Sequence, residues 1–204
     1  MSLAIEKAIE RDDWKGARSL IRASLRKEPD SHWLVARLGL TYYEEYNCKR
    51  ALTLQQRAYS LAPHCPLVLW DLAGTFDMLG RHREAIAIYR QLVRRNIKSL
   101  AFGDCGEGMG WTRGLIADCW YCLASCESKL GRRTQAIHCF NKHLEMRGPG
   151  CRSIYPIKKV RKELRESLVE SHKKELDRRL KDYSRHPHEG SSWNTLRNRI
   201  LRRR

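Results

Sequence analysis

The sequence predicts an all-α fold in which antiparallel helix pairs stack side by side as an α-solenoid. The first observation is a repeat: Leu38 and Leu72 are 34 positions apart, and so are Ala51 and Ala85. A period of this length suits a helix pair that cannot bury its apolar face alone and therefore stacks on its neighbours. The second observation is that apolar residues within each unit recur every three or four positions, which is the spacing of one helix face.

Two adjacent units, over residues 32–65 and 66–97, carry the pattern most fully. Small residues allow neighbouring helix backbones to approach, larger aromatic residues fill the wider gaps, and Pro63 ends the first unit because proline cannot continue a helix. The marked positions are Leu38, Gly39, Tyr42, Ala51, Ala58 and Pro63 in the first unit and Leu72, Ala73, Phe76, Ala85 and Tyr89 in the second. This pattern resembles the tetratricopeptide repeat (TPR), a family of protein-binding scaffolds.

The resemblance implies a right-handed superhelix whose concave wall is formed mainly by the first helix of each pair. It also implies a non-catalytic scaffold or adaptor that holds a peptide or helix of another protein in its groove. We expect the solenoid to cover residues 1–151. The architecture hosts many partners, so the resemblance does not identify one.

A degenerate first unit is predicted over residues 2–31. Ala17 lies one period before Ala51, and the pattern indicates helices from about Leu3 to Arg11 and from Trp14 to Lys27. A terminal unit has one side facing water, so departure from the repeat is expected there.

The last predicted unit spans residues 112–148 and follows an insertion. Its matching alanine, Ala136, lies 17 residues later than the period requires. Dense glycines over residues 98–111 disfavour a continuous helix and predict an inserted surface loop, or alternatively a loop that closes over a bound peptide. The unit departs from the family pattern at Glu127, where an aromatic residue is usual, and at His143, where a small residue is usual.

The C-terminal quarter is predicted to form a long basic helix over residues 152–183 and a basic tail over residues 184–204. An apolar stripe from Ile154 to about Tyr183 predicts a helix that caps the last unit of the solenoid, with a coiled-coil seam for dimerisation as the alternative. The stripe consists of Ile157, Val160, Leu164, Leu168, Leu176 and Leu180. The tail is predicted to form a short amphipathic helix with Trp193, Leu196 and Ile200 on one side.

The distribution of charge suggests a second possible function. The net charge is +17, and residues 152–204 contribute +10 of it, with 17 Lys or Arg against 7 Asp or Glu. A nucleic-acid-associated accessory role would use these cations along phosphates, and an anionic membrane surface is a further option. The candidate residues are Lys158, Lys159, Arg161, Lys162, Arg165, Lys173, Lys174, Arg178, Arg179, Trp193, Arg197 and Arg199. The alternative is a solvated helix face, partly neutralised by neighbouring glutamates.

The groove residues follow from the face of each first helix that is not used for packing within its pair. Aromatic residues are over-represented as binding anchors, so this face predicts a partner site, although the same aromatics could pack against the inserted loop or the tail. The predicted groove residues are Trp33, Arg37, Leu40, Tyr43, Trp70, Asp71, Asp77, Tyr121, Ser125 and Lys129. The matching positions lack the cationic clamp with which one branch of the family holds chaperone C-termini.

Catalytic and metal chemistry are not predicted. Cys119, Cys122 and Cys126 share one side of a helix and Cys139 lies on the next, yet this spacing is loose for a zinc site and favours buried thiols. Signatures of proteases, hydrolases and kinases are absent from the sequence, so we expect no enzyme and no cofactor.

Composition predicts a cytoplasmic protein with reduced thiols. No run of about 18 apolar residues is present, and the first residues are acidic where a signal peptide would be apolar. The eight cysteines sit mostly within apolar helical patterns of a chain too large to need disulfides.

Overall fold

The regular structure is helical throughout residues 2–185, which are the residues described by this computed structural model. Ten α-helices occur in this range. In chain order they are α1 (Ser2–Glu10), α2 (Trp14–Leu25), α3 (His32–Glu44), α4 (Cys48–Leu61), α5 (Pro66–Met78), α6 (His82–Val93), α7 (Ile97–Phe102), α8 (Gly108–Lys129), α9 (Arg133–Met146) and α10 (Ile157–Arg185). The predicted all-α fold is therefore confirmed.

Four helix pairs stack in sequence order. The pairs are α1 with α2, α3 with α4, α5 with α6, and α8 with α9, and each contacts the next along the chain. Contacts between α3 and α5 join the first helices of adjacent pairs. This is the arrangement of a solenoid, in which every unit buries its apolar face against its neighbours.

The same backbone turn joins the two helices of every pair. A residue with positive φ, between 55° and 73°, follows the first helix at Asp12, Tyr46, Gly80 and Gly131. The next residue then donates its backbone N–H to a carbonyl five positions earlier in all four pairs, as from Asn47 to Tyr42. Hydrogen bonds of this kind satisfy carbonyl groups that the end of a helix leaves unpaired.

Small residues hold the second helices against the first. The four alanines at the equivalent repeat position are fully buried, namely Ala17, Ala51, Ala85 and Ala136. A larger side chain there would separate the helices, since protein interiors are close-packed. The repeat read from the sequence is thus the packing repeat of the molecule.

The two departures in the last unit are both buried. Glu127 accepts hydrogen bonds from Arg90 at 2.7 Å and from Arg132 at 3.3 Å, and the Arg90 bond ties α8 to α6. The His143 Nδ1 atom lies 2.7 Å from the carbonyl oxygen of Ala117. Polar contacts therefore replace the usual aromatic and small residues of this unit.

The predicted loop over residues 98–111 is mostly helical, which corrects that expectation. Helix α7 follows Asn96, whose side chain caps it at 3.1 Å, and α8 begins at Gly108. Two glycines in and just after this stretch, Gly106 and Gly114, lie where another part of the backbone approaches closely. A Cβ atom at Gly114 would lie 2.1 Å from the backbone oxygen of Arg152, so the chain after α9 packs directly on α8.

The last helix covers the solenoid with its first turns only. Helix α10 begins at Ile157, slightly later than predicted, and packs against α9. Val160 is fully buried, whereas Leu168, Leu176 and Leu180 are 36%, 60% and 65% exposed. The cap thus uses the beginning of the predicted stripe and leaves its end exposed to solvent.

Two predictions about the C-terminus lie outside the described residues. They are the amphipathic helix of the tail and its candidate residues Trp193, Arg197 and Arg199. No helix described within residues 2–185 is long and apolar enough to cross a bilayer.

Candidate functional site

Five of the predicted groove residues surround one cavity of about 250 Å³ on the face formed by the first helices. We call it the groove cavity. The five residues are Leu40, Tyr43, Trp70, Asp71 and Asp77, and the cavity is completed by Glu44, Gln55, Gly74, Tyr89, Cys122, Ile154 and Tyr155. Its helical walls come from consecutive pairs because α3 and α5 lie side by side.

Aromatic rings form one part of this wall. Trp70 meets Tyr89 edge to face, with ring centroids 5.6 Å apart, and both rings belong to or border the main apolar core. The Tyr43 hydroxyl stands opposite Gly74, where an added Cβ atom would be 3.6 Å away. The glycine therefore leaves open the space that a side chain would occupy.

The floor of the groove cavity contains hydrogen-bond acceptors without donors. Asp71 Oδ2 and Gln55 Oε1 are buried and have no hydrogen-bond partner among residues 2–185. Burial raises the pKa of Asp71 to about 7, against the opposing charge of Arg37 and the neighbouring Gln55 side chain, and with a smaller contribution from Glu44. Unpaired buried acceptors are costly, so a ligand that brings N–H or O–H donors would be favoured here.

Asp77 has partners on the neighbouring unit. Its carboxylate accepts hydrogen bonds from Lys129 at 2.8 and 2.9 Å and lies 2.7 Å from His82 Nδ1. Burial alone would raise the pKa of Asp77, but the hydrogen bonds and charge of Lys129 outweigh burial and lower it. Two predicted groove residues, Asp77 and Lys129, therefore form an ion pair with each other.

The fourth pair is occupied by the chain itself. Residues 147–156, which we call the return segment, connect α9 to α10 across α8. Asp118 accepts a hydrogen bond from the Ser153 hydroxyl and one of 3.1 Å from the backbone N–H of Ile154. The Tyr155 ring stacks on Tyr121 at a centroid distance of 3.8 Å.

This packing places Tyr121 among buried residues rather than on an open groove. The alternative predicted from the sequence was that groove aromatics pack against the inserted loop or the tail, whereas Tyr121 packs against the return segment, which is neither of these. Ser125 and Lys129 line a second cavity of about 360 Å³ beside the acidic side chains of Glu163, Glu166 and Glu170. The sequence signal that was missed is the stretch Ser153–Pro156, which separates two helical patterns.

Trp33 and Arg37 lie toward the first pair and do not line the groove cavity, although the charge of Arg37 acts on Asp71. Trp33 is half-buried against the core formed with Ile5 and Ile21. The Arg37 guanidinium lies over the Trp33 ring at 5.6 Å and pairs with Glu6 at 3.2 Å. The ten predicted groove residues therefore fall into three places along the solenoid.

The cations of α10 are exposed but differ in their pairing. Lys159 lies over the rings of Tyr121 and Tyr155, at 5.3 and 5.5 Å. Arg178 and Arg179 both pair with Glu175, and Lys162 lies 3.9 Å from a neighbouring glutamate. Within residues 2–185, ion pairs are absent for Lys158, Arg161, Arg165, Lys173 and Lys174.

The cysteines are free thiols, and the four that the sequence suggested as possible zinc ligands do not converge on one point. Cys119, Cys122, Cys126 and Cys139 are buried at separate contacts of the core. Burial raises the pKa of Cys122 to about 12. In the described part of the chain, metal-ligating side chains converge in two other groups, which are His32 with Cys65 and Cys105, and Asp77 with His82 and Cys126.

Comparisons with known proteins identify the repeat. Residues 117–148 match the family described as Tetratricopeptide repeat. Curated protein sequences provide no match.

Solved structures of low sequence identity share the fold. A crystal structure of MamA is 19% identical, with a TM-score of 0.56 over 88% of this chain and 96% of that chain. MamA from Desulfovibrio magneticus RS-1 is 15% identical, with a TM-score of 0.58 over 85% and 91% of the two chains. TTC0263, a thermophilic TPR protein in Thermus thermophilus, is 15% identical, with a TM-score of 0.57 over 81% and 78%. Residues 117–148 thus match one tetratricopeptide repeat, and the described helices share the solenoid fold of these structures.

Proposed function

We propose that the protein is a non-catalytic scaffold that holds an extended peptide segment of another protein in the groove cavity. The observation that carries this proposal is the combination of an aromatic wall with two buried acceptors that lack donors, Asp71 Oδ2 and Gln55 Oε1. A peptide supplies both backbone N–H donors and apolar side chains. The TPR fold supports a protein-binding role in general.

The return segment supports the extended form of the ligand. At the fourth pair, this stretch of chain lies outside any helix and donates a backbone N–H to Asp118. Ile154 and Tyr155 also form one end of the groove cavity. A bound peptide would therefore run along the first helices up to this end.

The floor of the cavity indicates which peptides would bind best. Burial raises the pKa of Asp71 because it disfavours the charged form, and the exposed Glu44 carboxyl lines the same cavity. A Lys or Arg side chain of the ligand would relieve that cost by pairing with a carboxylate. We therefore expect a basic residue, flanked by apolar ones, to be preferred.

Selection from a random peptide library, followed by fluorescence anisotropy, tests the proposal. Gly74→Leu fills the cavity without a clash at Cβ and should weaken binding of the selected peptides by about tenfold or more. Gly148→Leu is the matched control, because a Cβ at Gly148 meets nothing within 4 Å. Equal binding by both variants, or no enriched peptide, would contradict the proposal.

A second candidate function is association with nucleic acid through the C-terminal quarter. It is favoured by Lys158, Arg161, Arg165, Lys173 and Lys174 of α10, which have no ion pair within residues 2–185. Those residues lie on an exposed helix, where phosphate contacts need no rearrangement. Binding of a DNA or RNA duplex should fall steeply as salt is added, and a variant with Lys173 and Lys174 changed to Gln should reduce the salt slope. Absence of binding at low salt would remove this candidate.

A further inference from the structure

Three metal-ligating side chains converge at the edge of the solenoid, away from the groove cavity. They are His32 at the start of α3, Cys65 before α5, and Cys105 in the short connection between α7 and α8. One ligand atom from each lies within 4.8 Å of the other two. The distance from Cys105 Sγ to His32 Nε2 is 3.4 Å.

This spacing fits a tetrahedral ion. Zinc binds thiolate sulfur at about 2.3 Å and imidazole nitrogen at about 2.0–2.1 Å, so adjacent ligands at a tetrahedral angle are about 3.6 Å apart. The observed sulfur–nitrogen distance is close to that value. Two thiolates and one imidazole are also a ligand set that selects zinc over magnesium or calcium, which prefer oxygen.

We propose that His32, Cys65 and Cys105 bind a zinc ion whose fourth ligand comes from the adjoining cavity. This cavity has a volume of about 490 Å³ and is lined by His64 and Asp104 as well as by the three ligands. His64 and Asp104 each precede a ligand cysteine in the sequence. One of them, or a water molecule, completes the coordination.

The ion has a structural consequence that follows from where its ligands lie. The three ligands come from the second pair, from the turn that enters the third pair, and from the inserted stretch. Binding would join these segments, since a metal that binds the native state adds its binding free energy to folding. The insertion between the third and fourth pairs would thereby be fixed to the solenoid.

Cobalt titration of the reduced chain tests the site. We expect one equivalent of Co²⁺ to bind with visible absorption of tetrahedral type and a sulfur-to-cobalt charge-transfer band, both lost when one equivalent of Zn²⁺ is added. Cys65→Ser, Cys105→Ser and His32→Asn should each abolish or strongly reduce the band. Cys48→Ser and Cys126→Ser, which change cysteines outside the three ligands, should leave the band intact.

A measurement on the unmodified chain tests the site without relying on variants that could fail to fold. Zinc should protect Cys65 and Cys105 from alkylation, located by mass spectrometry, and leave the alkylation of Cys48 and Cys151 unchanged. The proposal is overturned if the reduced chain binds no Co²⁺, or if Cys105→Ser keeps the full band. It is also overturned if Cys65 and Cys105 form a disulfide and the reduced pair gains no protection from zinc.

Discussion

Asp71 is the buried carboxyl group in the floor of the groove cavity. One of its oxygens has no donor among the described residues, and burial raises its pKa to about 7. The native state therefore holds a proton that the unfolded state releases near its ordinary pKa of 3.8. Between these two values the native state binds more protons, so this group lowers stability as the pH rises.

Asp71→Asn should remove that loss. We expect the variant to gain stability relative to the wild type as the pH rises from 5 to 8, by about 2–3 kcal/mol, because the amide carries no charge to bury. Urea unfolding followed by circular dichroism at several pH values measures the difference. Asp177→Asn, at an exposed position of α10, is the control, and a constant difference across the pH range would contradict the explanation.

Tyr46 is a second residue whose backbone conformation leads to a prediction. It has a φ of 60° at the turn of the second pair, where the third and fourth pairs have glycine, and its side chain is 80% exposed. A left-handed conformation costs a non-glycine residue about 1 kcal/mol. Tyr46→Gly should therefore stabilise the protein by about 0.5–1 kcal/mol, and Gly80→Ala should destabilise it by a similar amount.

Thermal unfolding of the two variants checks this pair. A higher midpoint for Tyr46→Gly with a lower midpoint for Gly80→Ala is the expected result. If Tyr46→Gly were less stable than the wild type, the exposed ring would have to make a contact that the structure does not contain.

At the scale of the element, α8 shows why a glycine-rich stretch can be helical. Its first turns lie against the return segment, and a Cβ at Gly114 would meet the backbone of Arg152 at 2.1 Å. Glycine normally costs a helix about 1 kcal/mol relative to alanine. Here the close approach of two backbones requires it, and composition alone could not distinguish this requirement from a flexible loop.

Gly114→Ala should destabilise the protein by about 1–3 kcal/mol despite the better helix propensity of alanine, because the return segment must move away from α8. Gly74→Ala is the control within another helix, since its nearest contact would be an ordinary 3.6 Å. It should be neutral or stabilising by up to about 1 kcal/mol. Chemical denaturation of both variants compares them, and similar effects would show that propensity alone decides.

At the scale of the whole molecule, stability depends on the ends of the stack being covered. The first turns of α10 cover the last pair. Val160 in these turns is fully buried, whereas Leu176, further along the helix, is 60% exposed. Each unit of a solenoid is stabilised mainly by its neighbours, so an uncovered end weakens the adjoining pair.

Val160→Ala should therefore cost about 1–2 kcal/mol of unfolding free energy, whereas Leu176→Ala should change it by less than about 0.5 kcal/mol. Hydrogen exchange should locate the loss for Val160→Ala in α9 and α10. Equal costs for the two variants would mean that the exposed end of α10 also packs on the protein.

The sequence predicted the stack well because its signals are local and periodic. Residues such as Ala51 and Ala85 report packing inside a unit, and the same packing recurs in the next unit. The groove cavity was predicted only in part, because its closure depends on contacts between distant segments. Tyr121 appeared open from its helix face, whereas Tyr155, 34 positions later, covers it.

The identical turn inside every pair restricts where this protein can change in length. A residue added between the two helices of a pair would break both the left-handed step and the hydrogen bond that closes it, whereas the chain between pairs has no such requirement. The 17 extra residues are found between pairs, after α6, where they form α7 and the start of α8. Evolution of new surface on this scaffold is thus expected at the joints between units, with the hairpins themselves kept at constant length.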